Sequence, residues 1–143
     1  MTREASVLVM ENPGDPYYPT TWSDHYYLHG LGLASQNVAG SYVCKLGYAG
    51  ATGCGLIWGV NQIGPTGTQN MGGMTLNRGN WFCVGDSGAP IVAGGLVYGL
   101  AVDPDVDTYQ TDPNQNYYGC AQGIYFTSAT LALNDLNLNL NTA

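Results

Sequence analysis

The stretch that decides the fold is CVGDSGAP, Cys83 to Pro90. A serine hydroxyl is a poor nucleophile unless a base takes its proton and hydrogen-bond donors await the developing oxyanion. Gly85, two residues before Ser87, permits a turn that aims the N–H groups of Gly85 and Ser87 at one point. Asp86 lies between them, and its carboxylate is costly to bury unless a cation pairs with it. The stretch therefore predicts an anion-binding turn around a candidate nucleophile, Ser87.

The composition around this turn is that of a small, turn-rich β domain. Charged residues make up 9% of the 143-residue chain, where about 25% is usual, and glycine (21) and tyrosine (11) are abundant. At this length we expect a single domain, residues 1–143. Ten acidic and three basic residues give a formal net charge of −7, which disfavours nucleic acid and anionic membranes as partners.

Short apolar runs bounded by glycine and proline predict strands along the chain. They cover Ala5–Met10, Ser41–Cys44, Gly55–Val60, Pro90–Ala93, Gly95–Val102 and Gly123–Thr127. Prolines with Asp and Asn predict loops at Asn12–Asp24 and Asp103–Tyr118, and the leucine-rich tail Ser128–Leu140 predicts a helix. The predicted fold class is all-β, an antiparallel barrel or sandwich of six to eight short strands with a C-terminal helix.

The four cysteines lack any C-x-x-C pair, so they are interpreted as two disulfides rather than a zinc site. Disulfides favour an oxidising compartment, and we therefore expect a secreted or extracellular protein. No apolar run approaches the ~20 residues of a membrane span. The opening MTREASVLVMENPGD does not have the form of a signal peptide, so we expect any export signal to lie outside it.

CVGDSGAP is similar to the C-x-GDSGGP signature of the chymotrypsin-like serine peptidases, with Ala89 in place of the second glycine after the serine. SYVCKLGYAGATGCG, Ser41–Gly55, resembles the V-C-R-x-G…C-G segment of the secreted bacterial branch, the streptogrisin and α-lytic proteases. GLAV, a long loop and GCAQGIYF resemble the substrate-binding strand and the returning cysteine. The resemblance implies the second, C-terminal barrel of such a peptidase, with Cys44–Cys54 and Cys83–Cys120 disulfides.

The same resemblance implies a role for each residue of the turn. Ser87 corresponds to the nucleophile, and the Gly85 and Ser87 amides to the oxyanion hole, for peptide-bond hydrolysis by acyl transfer. In the bacterial branch a basic residue directly after the first cysteine of the short disulfide loop neutralises the buried aspartate. Lys45 occupies that position here, which predicts a Lys45–Asp86 ion pair. The implied partner of an active chain is a peptide or protein substrate.

The family carries its catalytic histidine on a first barrel, for which this sequence has no matching segment. The opening EASVLV resembles the segment that joins the two barrels, with Glu4 at the position of the catalytic aspartate. His25 and His29, in SDHYYLHG, do not match the histidine motif, and loop histidines are usually solvated or packing residues. They are weak candidates for the base. Their spacing without a third ligand predicts no metal site.

The family's specificity pocket corresponds to four residues of this chain. Trp81 stands at the floor, and Val102, Asp103 and Pro104 stand on the wall strand. A large indole, together with a proline that lacks an N–H, would crowd this pocket. The sequence therefore predicts small apolar substrate side chains, or no peptide at all, rather than lysine or arginine.

Three aspartates alternate after that strand, as at the start of a calcium loop: Asp103, Asp105 and Asp107. The EF-hand pattern fails, because Thr108 and Asn114 stand where it has glycine and glutamate. A solvated acidic turn is favoured over calcium, and no cofactor is expected.

Three interpretations remain open from the sequence. The chain is half of a serine endopeptidase, with Glu4 orienting a histidine that a separate chain or a removed segment supplies. Alternatively it is a non-catalytic relative kept as a binding or structural module, or a shortened sequence that lacks its first barrel. The first and third predict an exposed apolar face, and hence a histidine-bearing partner chain or self-association.

Overall fold

Nine strands and two short helical elements make up the described part of the chain. The structure, a computed structural model, describes residues 5–8, 25–28, 30–32, 37–47, 52–114 and 118–135. The strands are β1 (Ala5–Leu8), β2 (His25–Leu28), β3 (Gly30–Leu31), β4 (Tyr42–Leu46), β5 (Thr52–Gln62), β6 (Met71–Leu76), β7 (Pro90–Ala93), β8 (Leu96–Pro104) and β9 (Gly123–Ser128). A 3-10 turn, η1, spans Val106–Thr108, and the helix α1 spans Ala129–Asp135.

Six of these strands close into an antiparallel barrel in the order β8-β7-β4-β5-β6-β9, because β8 pairs with both β7 and β9. The short strand β3 adds to β8 in parallel, and β1 pairs with β2 in a separate two-stranded sheet. The helix α1 follows β9 directly. The all-β barrel with a C-terminal helix is thus confirmed. No helix in the described segments is long and apolar enough to span a membrane.

The barrel interior is filled by side chains that alternate along each strand. On β5, Ile57 is buried while its neighbours Leu56 and Trp58 face outward. A strand with a period of two places alternate residues on opposite faces, so one face can fill the core. The core consists of buried, mostly large apolar side chains that come from every barrel strand, among them Val43, Ile57, Met74, Leu76, Ile91, Tyr98, Ala101, Ile124 and Phe126.

Both disulfides that the resemblance implies are present. Cys44–Cys54 joins directly opposite residues of β4 and β5. Cys83–Cys120 ties the segment before Ser87 to the segment before β9. Since disulfides persist in oxidising surroundings, the pair is consistent with an extracellular protein.

The structure corrects the predicted boundaries in three places. The strand β6 was not predicted at all. The predicted loop Asp103–Tyr118 is wrong at its start, since β8 continues through Pro104 and η1 follows it. His25, predicted to lie in a loop, is the first residue of β2, where the backbone pairs with Leu8.

The strands β2 and β3 were likewise not predicted, and the other differences are shifts of a few residues or lie outside the description. The predicted helix Ser128–Leu140 is described only over Ala129–Asp135. The predicted loop Asn12–Asp24 lies outside the described residues, as do the last residues of the predicted strand Ala5–Met10.

Candidate active site

The turn that carries Ser87 joins the Cys83–Cys120 disulfide to the start of β7. Gly85 has a φ of +103°, a left-handed conformation that side-chain-bearing residues rarely adopt. Inside the turn, the Asp86 N–H donates to the Cys83 carbonyl at 3.0 Å and the Ala89 N–H to the Asp86 carbonyl at 2.9 Å. These short-range bonds fold the backbone tightly around Ser87, which remains exposed.

The C-terminal side of the turn is bound to the barrel wall. The Gly88 N–H donates to the Ala101 carbonyl at 2.7 Å, and the Ala101 N–H donates back to Ala89 at 2.8 Å. Ala101 belongs to β8, so the turn is held against the strand that the resemblance assigns to substrate binding. Ala89, which replaces the second glycine of the family signature, is buried at this contact.

A buried ion pair holds the turn from below. Lys45 and Asp86 have no exposed side-chain surface, and Lys45 Nζ lies 2.8 Å from Asp86 Oδ2. The same carboxylate oxygen accepts the Cys83 N–H at 3.0 Å, and Lys45 Nζ also donates to the Trp81 carbonyl at 2.6 Å. The predicted Lys45–Asp86 pair is therefore present, and it connects β4 to both ends of the segment before Ser87.

The electrostatics of this pair follow from its burial. Burial lowers the pKa of the Lys45 ammonium, while the hydrogen bond and the charge of Asp86 act in the opposite direction. The pair is also tightly enclosed, because a Cβ placed on Gly47 would lie 2.6 Å from Asp86 Oδ1. Two buried charges are tolerated only when each is paired and hydrogen-bonded, and this arrangement meets both conditions.

The Ser87 hydroxyl and its two neighbouring amides face the surface. Ser87 Oγ donates to the Val102 carbonyl at 3.2 Å. Within the described part of the chain, neither the Gly85 nor the Ser87 N–H donates to another group, whereas the intervening Asp86 N–H is used inside the turn. Two free amides that flank one hydroxyl form a candidate site for an oxyanion.

A cleft of about 210 Å³ opens beside Ser87. Its lining residues are uncharged and come from the turn, from the end of β8 and from the segment that leads to Cys120: Phe82, Cys83, Val84, Gly85, Ser87, Pro104, Tyr109 and Gly119. Val84, at 94% exposure, stands at the rim. The nucleophile candidate therefore borders an apolar recess large enough for one side chain.

Of the four pocket residues expected from the sequence, the structure brings Pro104 into this cleft. Val102 reaches Ser87 through its carbonyl. Trp81 is half-buried and its carbonyl binds Lys45, and Asp103 Oδ2 accepts from Thr66 Oγ1 at 3.4 Å. Neither Trp81 nor Asp103 is among the residues that line the cleft.

The candidate partners of Ser87 in a triad lie beyond the described side chains. Glu4 and His29 are outside the described residues, and for His25 only the strand position is described. The structure therefore brings together the serine, the amides and the ion pair, but it does not test any of the three candidates for acid and base.

The acidic segment after β8 uses a carboxylate to accept a hydrogen bond from its own backbone. Asp105 Oδ1 accepts the Asp107 N–H at 3.2 Å at the start of η1. Among the described residues, no three His, Cys, Asp or Glu side chains form a group that could hold a metal ion. Burial, followed by the charges of Asp105 and Asp107, raises the pKa of Tyr125 on the neighbouring strand β9.

Two features of the site were missed from the sequence. Gly47 lies against the ion pair. It follows Lys45 by two residues, so the predicted Lys45–Asp86 pair was the signal from which its place beside the pair could have been expected. Tyr109 lines the cleft, but it lies in a stretch of Pro, Asp and Thr that carries no motif. Only the fold brings it to Ser87.

No family model and no curated protein sequence matches the chain. Solved structures do match it. Cellulomonas bogoriensis chymotrypsin superposes with a TM-score of 0.63 and 22% identity over 84% of this chain and 58% of that one. Thermobifida fusca protease A gives 0.61 and 23% over 84% and 57%, and Nocardiopsis protease gives 0.58 and 23% over 84% and 56%.

These similarities define the fold. The chain has the fold of one barrel, a half, of the bacterial chymotrypsin-like serine proteases, as the resemblance predicted. It spans a little more than half the length of the structures that it matches. The domain is therefore protease-like in fold, and the similarities show the fold alone.

Proposed function

We propose that the chain is the nucleophile-bearing half of a serine endopeptidase. The observation that carries the proposal is the turn itself, in which Ser87 is exposed and neither its own N–H nor that of Gly85 has a partner among the described residues. The buried Lys45–Asp86 pair supports it, because a structural turn alone would not need an internal ion pair beneath the serine.

In the proposed reaction, Ser87 Oγ attacks the carbonyl carbon of a peptide bond and a C–O bond forms. The proton of the hydroxyl passes to a histidine base, and the Gly85 and Ser87 amides donate to the oxyanion. Collapse of the intermediate breaks the C–N bond, and the histidine returns its proton to the leaving amine. Water then hydrolyses the acyl ester and restores Ser87.

The described side chains include no histidine, so the candidates for the base all lie outside them. We propose that a histidine-bearing partner segment or chain supplies it, with Glu4 as the residue that orients the ring, and that His25 and His29 are the weaker candidates within this chain. A protein that works in this way on peptides outside the cell would be secreted, which the two disulfides support.

A second function, a non-catalytic binding module, is favoured by one contact. The Ser87 hydroxyl donates a hydrogen bond to the Val102 carbonyl at 3.2 Å, and a carbonyl oxygen cannot act as a general base. In this alternative the cleft and the turn bind a peptide or stabilise an assembly without cleaving a bond.

Labelling of the serine distinguishes the two functions. The purified chain is incubated with a fluorophosphonate, and its intact mass is measured beside a Ser87→Ala control. A single adduct that the control lacks is expected for an activated serine, since Ser87 Oγ must displace fluoride at phosphorus. An unmodified chain would show that it does not activate Ser87 by itself, which favours the binding module unless another chain supplies the histidine.

Variants then locate the base. If the purified chain is labelled, its base cannot come from another chain, and equal labelling of His25→Gln, His29→Gln and the wild-type chain would mean that neither histidine activates Ser87. A hundredfold or greater loss in one of them would identify that residue as the base instead, in line with the ~10²–10⁴-fold contribution of general bases.

A further inference from the structure

Tyr109 is the bulkiest side chain of the cleft beside Ser87 for which the sequence suggested no role. It lies directly after η1, in the segment that leads on to Cys120, the disulfide partner of Cys83. Tyr109 is 40% exposed even though it borders a recess. A large aromatic surface left partly in water at the edge of a cleft is available for contact with a ligand.

The backbone of Tyr109 is fixed to the same frame as the catalytic turn. Tyr109 and Phe82 each form a β-bridge with Ala121. Phe82 and Ala121 exchange two backbone hydrogen bonds, of 2.7 and 2.8 Å, and the Gln110 N–H donates to the Cys120 carbonyl at 2.7 Å. The Cys83–Cys120 disulfide closes this frame. The wall that Tyr109 forms is therefore preorganised rather than a loose loop.

The residues that line the cleft disfavour a ligand with a charged side chain. A charged side chain that entered the cleft would lose water and meet no counter-charge from the described part of the chain, where the lining residues are all uncharged. Trp81 does not line the cleft, so the size limit is set by the wall rather than by an indole floor. About 210 Å³ suits one side chain, well below the ~300 Å³ at which pockets for drug-sized ligands begin.

We propose that Tyr109 is a specificity-determining residue, and that the cleft takes an apolar side chain of leucine or phenylalanine size. The inference rests on the proposed function, since it identifies the side chain next to the bond that Ser87 attacks. Phe82 and Pro104 also line the cleft and are apolar, so a side chain that enters it would meet Tyr109 together with these two residues.

Binding can be measured without catalysis in the Ser87→Ala variant. Amide chemical shifts are followed by NMR while N-acetyl amino-acid amides of alanine, leucine, phenylalanine, arginine and aspartate are added. We expect the leucine and phenylalanine amides to move the Gly85 and Gly119 signals, and the arginine and aspartate amides to bind at least about tenfold more weakly.

Variants of the wall test Tyr109 itself. Tyr109→Ala in the Ser87→Ala background is expected to weaken the leucine and phenylalanine amides about tenfold and to flatten the preference among the apolar amides. Tyr109→Phe, which keeps the ring, and Tyr118→Ala, an exposed tyrosine outside the cleft, should both retain the wild-type preference. Tyr109→Leu replaces the alanine variant if the latter loses its dispersed spectrum.

Three results would overturn the inference: no amide binds, arginine binds as tightly as leucine, or a folded Tyr109→Ala or Tyr109→Leu variant keeps the preference unchanged. Fluorophosphonate labelling of the wild-type chain is an independent measurement. Selective binding without labelling would leave the assignment of Tyr109 in place and show that the chain does not activate Ser87 by itself, whereas labelling without selective binding would refute the assignment of Tyr109 alone.

Discussion

Lys45 shows how much a single buried side chain contributes to the turn around Ser87. Replacing it in Lys45→Met leaves the Asp86 carboxylate buried without its cation, which should lower the free energy of unfolding by about 3–5 kcal/mol. Arg78→Met, which removes an exposed cation, should cost less than about 0.5 kcal/mol. Urea unfolding at neutral pH measures both.

The double variant Lys45→Met/Asp86→Leu separates charge from packing. Because it removes both buried charges, it should recover more than half of the stability that Lys45→Met loses. If Lys45→Met alone lost less than about 1 kcal/mol, the pair would be accessible to water and not the buried anchor described above.

Gly47 offers a test of how tightly that pair is enclosed. A methyl group in Gly47→Ala would meet Asp86 Oδ1 at 2.6 Å and Lys45 Nζ at 2.8 Å, so we expect a loss of about 1–3 kcal/mol through overpacking. Gly30→Ala is the matched control, because no atom of the described residues lies within 4 Å of a Cβ at that position. Thermal unfolding compares them, and equal melting temperatures would show that the pair can move aside.

At the scale of elements, the two disulfides constrain different lengths of chain. Cys83–Cys120 closes 37 residues and Cys44–Cys54 closes 10. In the loop-entropy account, removing the longer link should destabilise the fold by about 1 kcal/mol more than removing the shorter one. Urea unfolding of the two paired Cys→Ala variants checks this, and a larger loss from the Cys44–Cys54 variant would show that strand pairing outweighs chain entropy.

The strands also show which parts of the fold a sequence can predict. Pro90–Ala93 was predicted to the residue, because β-branched residues lie between proline and glycine. The strand β6 was missed because Gly72 and Gly73 interrupt its apolar pattern. Their role is non-local, since the rings of Phe126 and Trp58 lie where a Cβ at each glycine would be.

The same distinction between local and non-local information holds at the site. The turn around Ser87 and its partner Lys45 were predictable because eight consecutive letters and one cysteine spacing carry them. Tyr109 was not, because its place in the cleft depends on the bridge to Ala121 and on the Cys83–Cys120 link. A residue without a motif becomes a site residue only through such long-range pairing.

At the scale of the whole molecule, folding brings the excess negative charges of the chain closer together. Ten acidic and three basic residues are confined in the compact state, whereas the unfolded chain spreads them apart. Self-repulsion therefore opposes folding, and salt screens it over a Debye length that falls from about 30 Å at 0.01 M to about 3 Å at 1 M.

We therefore expect the urea midpoint to rise between 0.01 M and 0.3 M NaCl, with a gain in unfolding free energy of about 1 kcal/mol. Asp105→Asn/Asp107→Asn removes two charges, which changes the formal net charge from −7 to −5, and asparagine keeps the acceptor that the Asp107 N–H uses. This variant should gain less from salt than the wild-type chain. A midpoint that fell with salt would mean that attraction between exposed charges outweighs the repulsion among the surface carboxylates, since salt hardly screens the buried Lys45–Asp86 pair.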